Sequence, residues 1–391
     1  MANILDNLKK YAGNKKFIIK NAIAWPLIGA GIAGLVVGNK LLNQFESNIT
    51  GILCPTVVDE ESKSEAAGAG AELAVQIEEE GIVLTQNRGG ENGKGILPLS
   101  ESVNRVNIFG RGAIEWHFSG SGSGGIYTSK GKLIDLVDAF ESQGILVNHE
   151  LIDASTSIQS KVKDVNNLHY STLYTSKTYE PKIEKYQSAY NAAKSFSDTA
   201  IVCFGRYAGE GNDLTKSAVT LYGNDSSRTT LDFSKEEEDL LRNVAQDFKN
   251  VIVLINSSNP MNLKLIESIP GVDACLVIGT PGNVGAKAIP NVLWGTVTPC
   301  GHLTDTYVYD FKTTPNYYNS GYDYFSVYSG SNEYAGSYGD CSYRNEKISY
   351  RGRKQACYVD YDDSIYVGYR WYETADAEGY WDRAPYNGYD N

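Results

Sequence analysis

The chain lacks most of the short signatures by which catalytic chemistry is recognised. Its six cysteines, at 54, 203, 275, 300, 341 and 357, form no Cys-x-x-Cys pair, and no histidine stands at metal-ligand spacing from any of them. A zinc site is therefore not expected. No G-x-S-x-G elbow, Walker-type phosphate loop or H-E-x-x-H occurs, which removes the commonest serine-hydrolase, nucleotide and zinc-protease chemistries. Positive charge is also short: 35 Lys and Arg face 47 Asp and Glu, for a net charge of −12. Without a basic excess, nucleic acid is not an expected partner. The four histidines, 117, 149, 169 and 302, show no mutual pattern and read as structural.

What is present fits a globular chain with a core, since 42% of residues are hydrophobic and 21% charged. Tyrosine stands out, with 28 against 11 Phe; its flat apolar ring and hydroxyl suit surfaces that meet polar, ring-shaped ligands. Cys203 and Cys275 lie inside apolar runs and read as small core residues. Cys341 and Cys357 flank a polar loop, where a disulfide would require an extracytoplasmic location, and spacing alone does not set the geometry.

The first 53 residues differ from the rest. Lys9, Lys10, Lys15, Lys16 and Lys20 precede AIAWPLIGAGIAGLVVG, an uncharged run from Ala22 to Gly38. At about 1.5 Å per residue it covers roughly 25 Å, and extension back through Phe17-Ile18-Ile19 with Lys20 snorkelling makes it long enough to span a bilayer. The lysine asymmetry places the N-terminus inside, and no small-x-small cleavage site closes the run. The expectation is an uncleaved, single-pass anchor in the cell membrane over residues 17–38, with the main domain extracytoplasmic. A buried, glycine-rich core helix is the competing reading.

Residues 64–315 alternate helix and strand. A helix is expected over Glu65–Glu79, then strands at 81–84, 103–109 and 145–147, with an amphipathic helix at 133–143. Residues 152–181 are polar and weakly patterned, and read as an excursion from the core. A helix over 182–196 leads to the apolar run Ala200–Phe204. Ser234 and Glu237 form a capping box before Leu240, Leu241, Val244 and Phe248. Val251–Ile255 and Ala274–Ile278 are further buried strands, and Asn259-Pro260 marks a helix start. The pattern predicts an α/β fold, a mostly parallel sheet sandwiched by helices. Residues 316–391 are Tyr- and Gly-rich, with one strand-like run at 364–369, and form a third segment.

Two glycine-rich stretches bear on function. Gly120–Gly125 satisfies G-x-G-x-x-G, yet it does not follow a strand directly and no acidic residue ends the next one, so no cofactor is expected. The second is CFGRYAGEGNDLT, Cys203–Thr215, where an apolar strand runs into Glu210 held between Gly209 and Gly211. A carboxyl on such a loop beyond a parallel strand's carboxyl end is well placed for general acid chemistry; an ordinary solvated loop would look the same.

Six blocks occur in order: EGIVLTQN with ILPL (80–99), VNIFGR (106–111), FGRYAGEGND (204–213), VIVLINSSNPMNL (251–263), PGVDACLVIGTPGNVGAKAIPNVLWG with TPCGHLTDTYVYD (270–310), and IYVGYRWYET (365–374). Together, over residues 64–375, they resemble the α/β-sandwich domain of glycoside hydrolase family 3, the β-glucosidase family. The resemblance implies that Glu210 is the catalytic acid/base. Arg206, Tyr207 and Asp213 are expected beside it, shaping the loop and binding an oligosaccharide or β-glycoside. It also implies a nucleophilic aspartate on a separate (β/α)8 barrel. Nothing of barrel length precedes residue 64, so the chain looks like the front of a reversed-order enzyme, inactive without a barrel from a further segment or a second chain. An inert glycan-binding or surface structural relative is the alternative. Asn283-Val284, Cys300, His302 and Leu214 depart from the family's usual residues and bear on sugar preference rather than fold.

Overall fold

The computed structural model describes residues 23–24, 26–28, 30–31, 34–35, 59–90, 93–120, 125–126, 133–165, 177–178, 180–206, 214, 217–315, 317 and 363–382. The chain divides into two compact units, Met1–Gly68 and Ala69–Asn391, and the candidate site belongs to the second. Among the described residues no helix is long and apolar enough to cross a membrane. The anchor expected over 17–38 lies mostly outside those residues, as do Cys341 and Cys357.

In chain order the elements are α1 (Glu60–Gly81), β1 (Val83–Asn87), β2 (Arg105–Phe109), α2 (Arg111–Ile114), α3 (Leu136–Ser142), β3 (Leu146–Val147), α4 (His149–Val165), β4 (Lys177–Thr178), α5 (Gln187–Phe196), β5 (Thr199–Phe204), β6 (Ser217–Thr220), β7 (Gly223–Thr229), α6 (Lys235–Asp247), β8 (Asn250–Ile255), α7 (Lys264–Ser268), β9 (Ala274–Val277), α8 (Ala288–Leu293) and α9 (Tyr369–Ala377). The main sheet has the order β1-β9-β8-β5-β2-β3. All its pairings are parallel except that of edge strand β1 with β9.

Central position explains composition. Every residue of β5 is buried, because helices cover both faces of the sheet. Alternation along the strand then divides the core in two. Ile201 and Cys203 join Ile108, Ile252 and Leu254 on one face, against Leu136 and Phe140 of α3 and Ile289 and Leu293 of α8. Ala200, Val202 and Phe204 join Val251, Val253 and Ile255 on the other, against Tyr190 of α5 and Leu240, Leu241 and Val244 of α6. Cys203 and Cys275 are buried free thiols within this core. The Ser234/Glu237 capping box opens α6 as the sequence indicates.

Three sequence expectations are corrected. The polar, weakly patterned residues 152–181 suggest an excursion from the core, but α4 runs from His149 to Val165; Leu151 is buried and Ile158 packs on the core, a sparse apolar stripe inside a Ser- and Thr-rich helix. No helix starts at Pro260. The Asn259 N–H is taken by the Ser257 hydroxyl and the Asn262 N–H by the Leu231 carbonyl, and helix α7 begins only at Lys264. Residues 364–369 are not a strand: Ser364 and Gly368 have φ of 49° and 59°, and α9 starts at Tyr369. A small second sheet, β4-β6-β7, was not foreseen. Its strand β6 is the next described strand in the chain after β5.

Candidate active site

The carboxyl ends of β2, β5, β8 and β9 converge where a parallel sheet binds ligands, and the chain between β5 and β6 carries Glu210. Tyr207, Glu210 and Asp213 lie outside the described residues. Arg206, the last described residue before them, shows how the root of their loop is held.

Arg206 is 2% exposed. Its Nη1 and Nη2 each donate to one oxygen of Glu237, both at 2.8 Å. Nε donates to the Thr230 carbonyl, Nη1 also to Gly205 and Nη2 also to Asp232. All five guanidinium donors are thus used within the protein. Glu237 is equally buried and doubles as the capping-box acid of α6, accepting the Ser234 N–H at 2.7 Å. A buried ion pair is tolerable only when satisfied this fully. The Arg206 side chain is therefore committed between the end of β5 and the start of α6.

The neighbouring strand supplies a second hold. Asn256 and Ser257 directly follow the apolar run of β8. The Ser257 hydroxyl donates to the Arg206 carbonyl at 3.2 Å. Asn256, fully buried, accepts the His117 N–H through Oδ1 at 2.7 Å, and its Nδ2 donates to the carbonyls of His117 and Gly279 at 3.0 and 2.8 Å. The His117 ring Nδ1 lies 3.0 Å from the Asn256 carbonyl. Burial holds this imidazole's pKa down at about 4, so it is neutral and donates from Nδ1. Gly205 sits beneath this pair: a Cβ there would lie 2.3 Å from the Asn256 carbonyl oxygen and 3.0 Å from the His117 ring.

On the far side, Gly110 turns the chain out of β2 at φ 89°, with a would-be Cβ 2.3 Å from the Cys203 carbonyl oxygen. The next residue, Arg111, gives its N–H to the Glu180 carboxyl at 2.8 Å and pairs its side chain with Glu115 at 2.6 Å. Glu180 is 2% exposed. Burial, reinforced by the charge of Glu237, raises its pKa to about 8, and the Arg111 N–H only partly offsets that. Among the described residues no group of three or more His, Cys, Asp or Glu could hold a metal ion.

Sequence reasoning singled out Arg206 and the helix-capping role of Glu237, but not that they pair. Asn256 and Ser257 carried a usable signal, two polar residues at the end of a β-branched strand. Glu180 carried none, since it lies far in sequence from Arg111.

The family model for the Glycosyl hydrolase family 3 C-terminal domain matches residues 82–369, well over half of the chain. The chain belongs to that family. A beta-glucosidase of Ruminococcus albus is 27% identical over 299 residues, covering 72% of this chain and 29% of that protein. Beta-glucosidase A of Butyrivibrio fibrisolvens is 22% identical over 329 residues, 78% of this chain and 32% of its own length. The chain thus spans under a third of these curated relatives. Among solved structures, a beta-glucosidase from Paenibacillus barengoltzii superposes with a TM-score of 0.52 at 27% identity, over 64% of this chain and 25% of that one. Beta-glucosidase 3B from Thermotoga neapolitana gives 0.55 at 22% identity over 78% and 36%, a likeness of fold. As a family 3 C-terminal domain, the unit places the Gly-Glu-Gly segment after its central strand β5.

Proposed function

We propose that this chain supplies the acid/base half of a β-glucosidase-type glycoside hydrolase, with Glu210 as the proton donor. A nucleophilic aspartate on a (β/α)8 barrel, in the same polypeptide or a second one, attacks the anomeric carbon. Glu210 protonates the departing glycosidic oxygen, and then, as carboxylate, takes the proton of the water that releases the sugar. Tyr207 and Asp213 contribute to substrate binding, and Arg206 anchors the chain ahead of them. The observation that carries this reading is that anchor: a fully satisfied, buried Arg206–Glu237 pair at the carboxyl end of the central strand, three residues before the Gly-Glu-Gly segment. Rigid placement of a loop root is what a positioned acid requires.

The test is Glu210→Gln in the chain assembled with its barrel. Hydrolysis of a β-glucoside should fall by about 10²-fold or more, the usual worth of a positioned acid, while sugar binding persists. Activity near wild type would remove the assignment. A wild-type assembly that binds glycan but never hydrolyses it would instead favour the inert, glycan-binding relative. The same reading keeps the chain in the cell membrane through residues 17–38, main domain outward. Deleting residues 1–53 should then move it from the membrane pellet to the supernatant; a full-length chain already found in the supernatant excludes the anchor.

A further inference from the structure

The groups that hold the loop root are not equivalent. Arg206 and Glu237 tie it to α6 on one side of the sheet. Asn256 does something different, because its single amide makes three hydrogen bonds to two separate pieces of chain and its backbone bonds a third. Oδ1 and Nδ2 close a two-bond ring on the His117 backbone, at 2.7 and 3.0 Å, and Nδ2 also reaches the Gly279 carbonyl at 2.8 Å. The Asn256 backbone donates its N–H to the Phe204 carbonyl at 2.8 Å, continuing the β5–β8 ladder. Its own carbonyl oxygen faces Gly205 so closely that only a glycine fits. The segments leaving β2, β5, β8 and β9 are therefore set relative to one another by one residue and the imidazole bonded to its carbonyl.

We propose that Asn256, with His117, is the positioning unit of the Glu210 loop, acting through Gly205 and Arg206 rather than on the substrate. The inference rests on the acid/base role of Glu210 and adds the residues that give that acid its geometry. Asn256 is fully buried and every polar atom of its amide is bonded within the protein, so it cannot itself be a ligand group. Its bonds instead set where Gly205-Arg206 leaves the sheet, at the root of the segment that carries Glu210. Ser257, next along, repeats the hold by donating to the Arg206 carbonyl.

A displaced acid has a signature that a merely destabilised protein lacks. Protonation matters most for a poor leaving group such as an alkyl alcohol or phenol, and least for 2,4-dinitrophenolate, which departs without a proton. The experiment compares wild type, Glu210→Gln, Asn256→Ala and His117→Ala in the barrel-assembled protein on both kinds of β-glucoside, with thermal melts alongside. His117→Ala keeps the bonds of the Asn256 amide, which go to the His117 backbone, and removes the ring against Gly205 with its Nδ1–H bond to the Asn256 carbonyl, so it remains informative if Asn256→Ala fails to fold. Asn256→Ala or His117→Ala should lower kcat on the phenyl glucoside by about 10- to 100-fold, as expected for an ångström-scale misplacement, with KM little changed. The dinitrophenyl glucoside should lose less than about 3-fold in kcat/KM, which reports formation of the glycosyl-enzyme, as for Glu210→Gln. Equal losses of kcat/KM on both substrates, or loss of melting temperature with kcat intact, would overturn the positioning role while leaving Glu210 standing. If Glu210→Gln itself shows no leaving-group dependence, the acid assignment falls, and this inference with it.

Discussion

Glu180 offers a perturbation whose effect can be worked through. Its carboxyl is buried, accepts the Arg111 N–H at 2.8 Å, and lies in the field of Glu236 and Glu237, with the Arg111 charge acting in the opposite sense. Its pKa rises from 4.5 to about 8, chiefly because burial penalises the charged form. Between those values the folded chain keeps a proton that the unfolded chain has released. The unfolded state then binds fewer protons, so stability falls as pH rises through that window and levels off above about 8. Each pH unit within it costs at most about 1.4 kcal/mol, giving a ceiling of about 4 kcal/mol between pH 5 and pH 8. Glu180→Gln removes the titration and retains an acceptor oxygen for Arg111. Thermal melts of the full chain at pH 5 and pH 8 should show the variant close to wild type at the lower pH. At the higher pH it should be more stable by several degrees, at about 2 °C per kcal/mol for a domain of this size. A difference between variant and wild type that is the same at both pH values would refute the reasoning. Glu78, raised to about 8 by burial alone, adds a slope of the same sign that the Glu180 variant leaves in place.

Two further substitutions test the loop root. Glu237→Ala strands the buried Arg206 guanidinium and removes the carboxylate half of the α6 capping box, and should cost about 3–5 kcal/mol in urea unfolding; a loss under about 1 kcal/mol would mean that the pair does not hold the fold. Gly205→Ala drives a Cβ to within 2.3 Å of the Asn256 carbonyl oxygen, and should destabilise by about 1–3 kcal/mol as an overpacked site does. A Gly205→Ala chain that melts with wild type would show that the close approach is not there.

Much of the architecture was legible because the strands that matter are buried on both faces. Ala200–Phe204, Val251–Ile255 and Ala274–Ile278 read as continuous apolar runs, and all three appear as neighbouring strands β5, β8 and β9. The cap of α6 was legible because Ser234 and Glu237 interact locally. Errors arose where the deciding contacts are distant in sequence. Helix α4 hides its narrow apolar stripe among Ser and Thr. The Pro260 segment gives its N–H groups to Ser257 and Leu231 rather than to a helix. The 364–369 run alternates like a strand, but positive φ at Ser364 and Gly368 turns it, leaving Ile365 and Val367 exposed. At the site, the Gly-Glu-Gly segment drew attention through its glycines, whereas Glu180, His117 and Asn256 act through contacts with chain 69 to 139 residues away, which no local pattern encodes.

The central claim is that Glu210 is the acid/base of a retaining hydrolase, and chemical rescue addresses it most directly. In the barrel-assembled protein, Glu210→Gly should let 2,4-dinitrophenyl β-glucoside form the glycosyl-enzyme yet leave its hydrolysis slow, since no base remains to activate water. Added azide, which needs no base, should restore turnover and yield β-glucosyl azide. Unchanged turnover without azide, or no azide adduct of the β configuration, would contradict the claim.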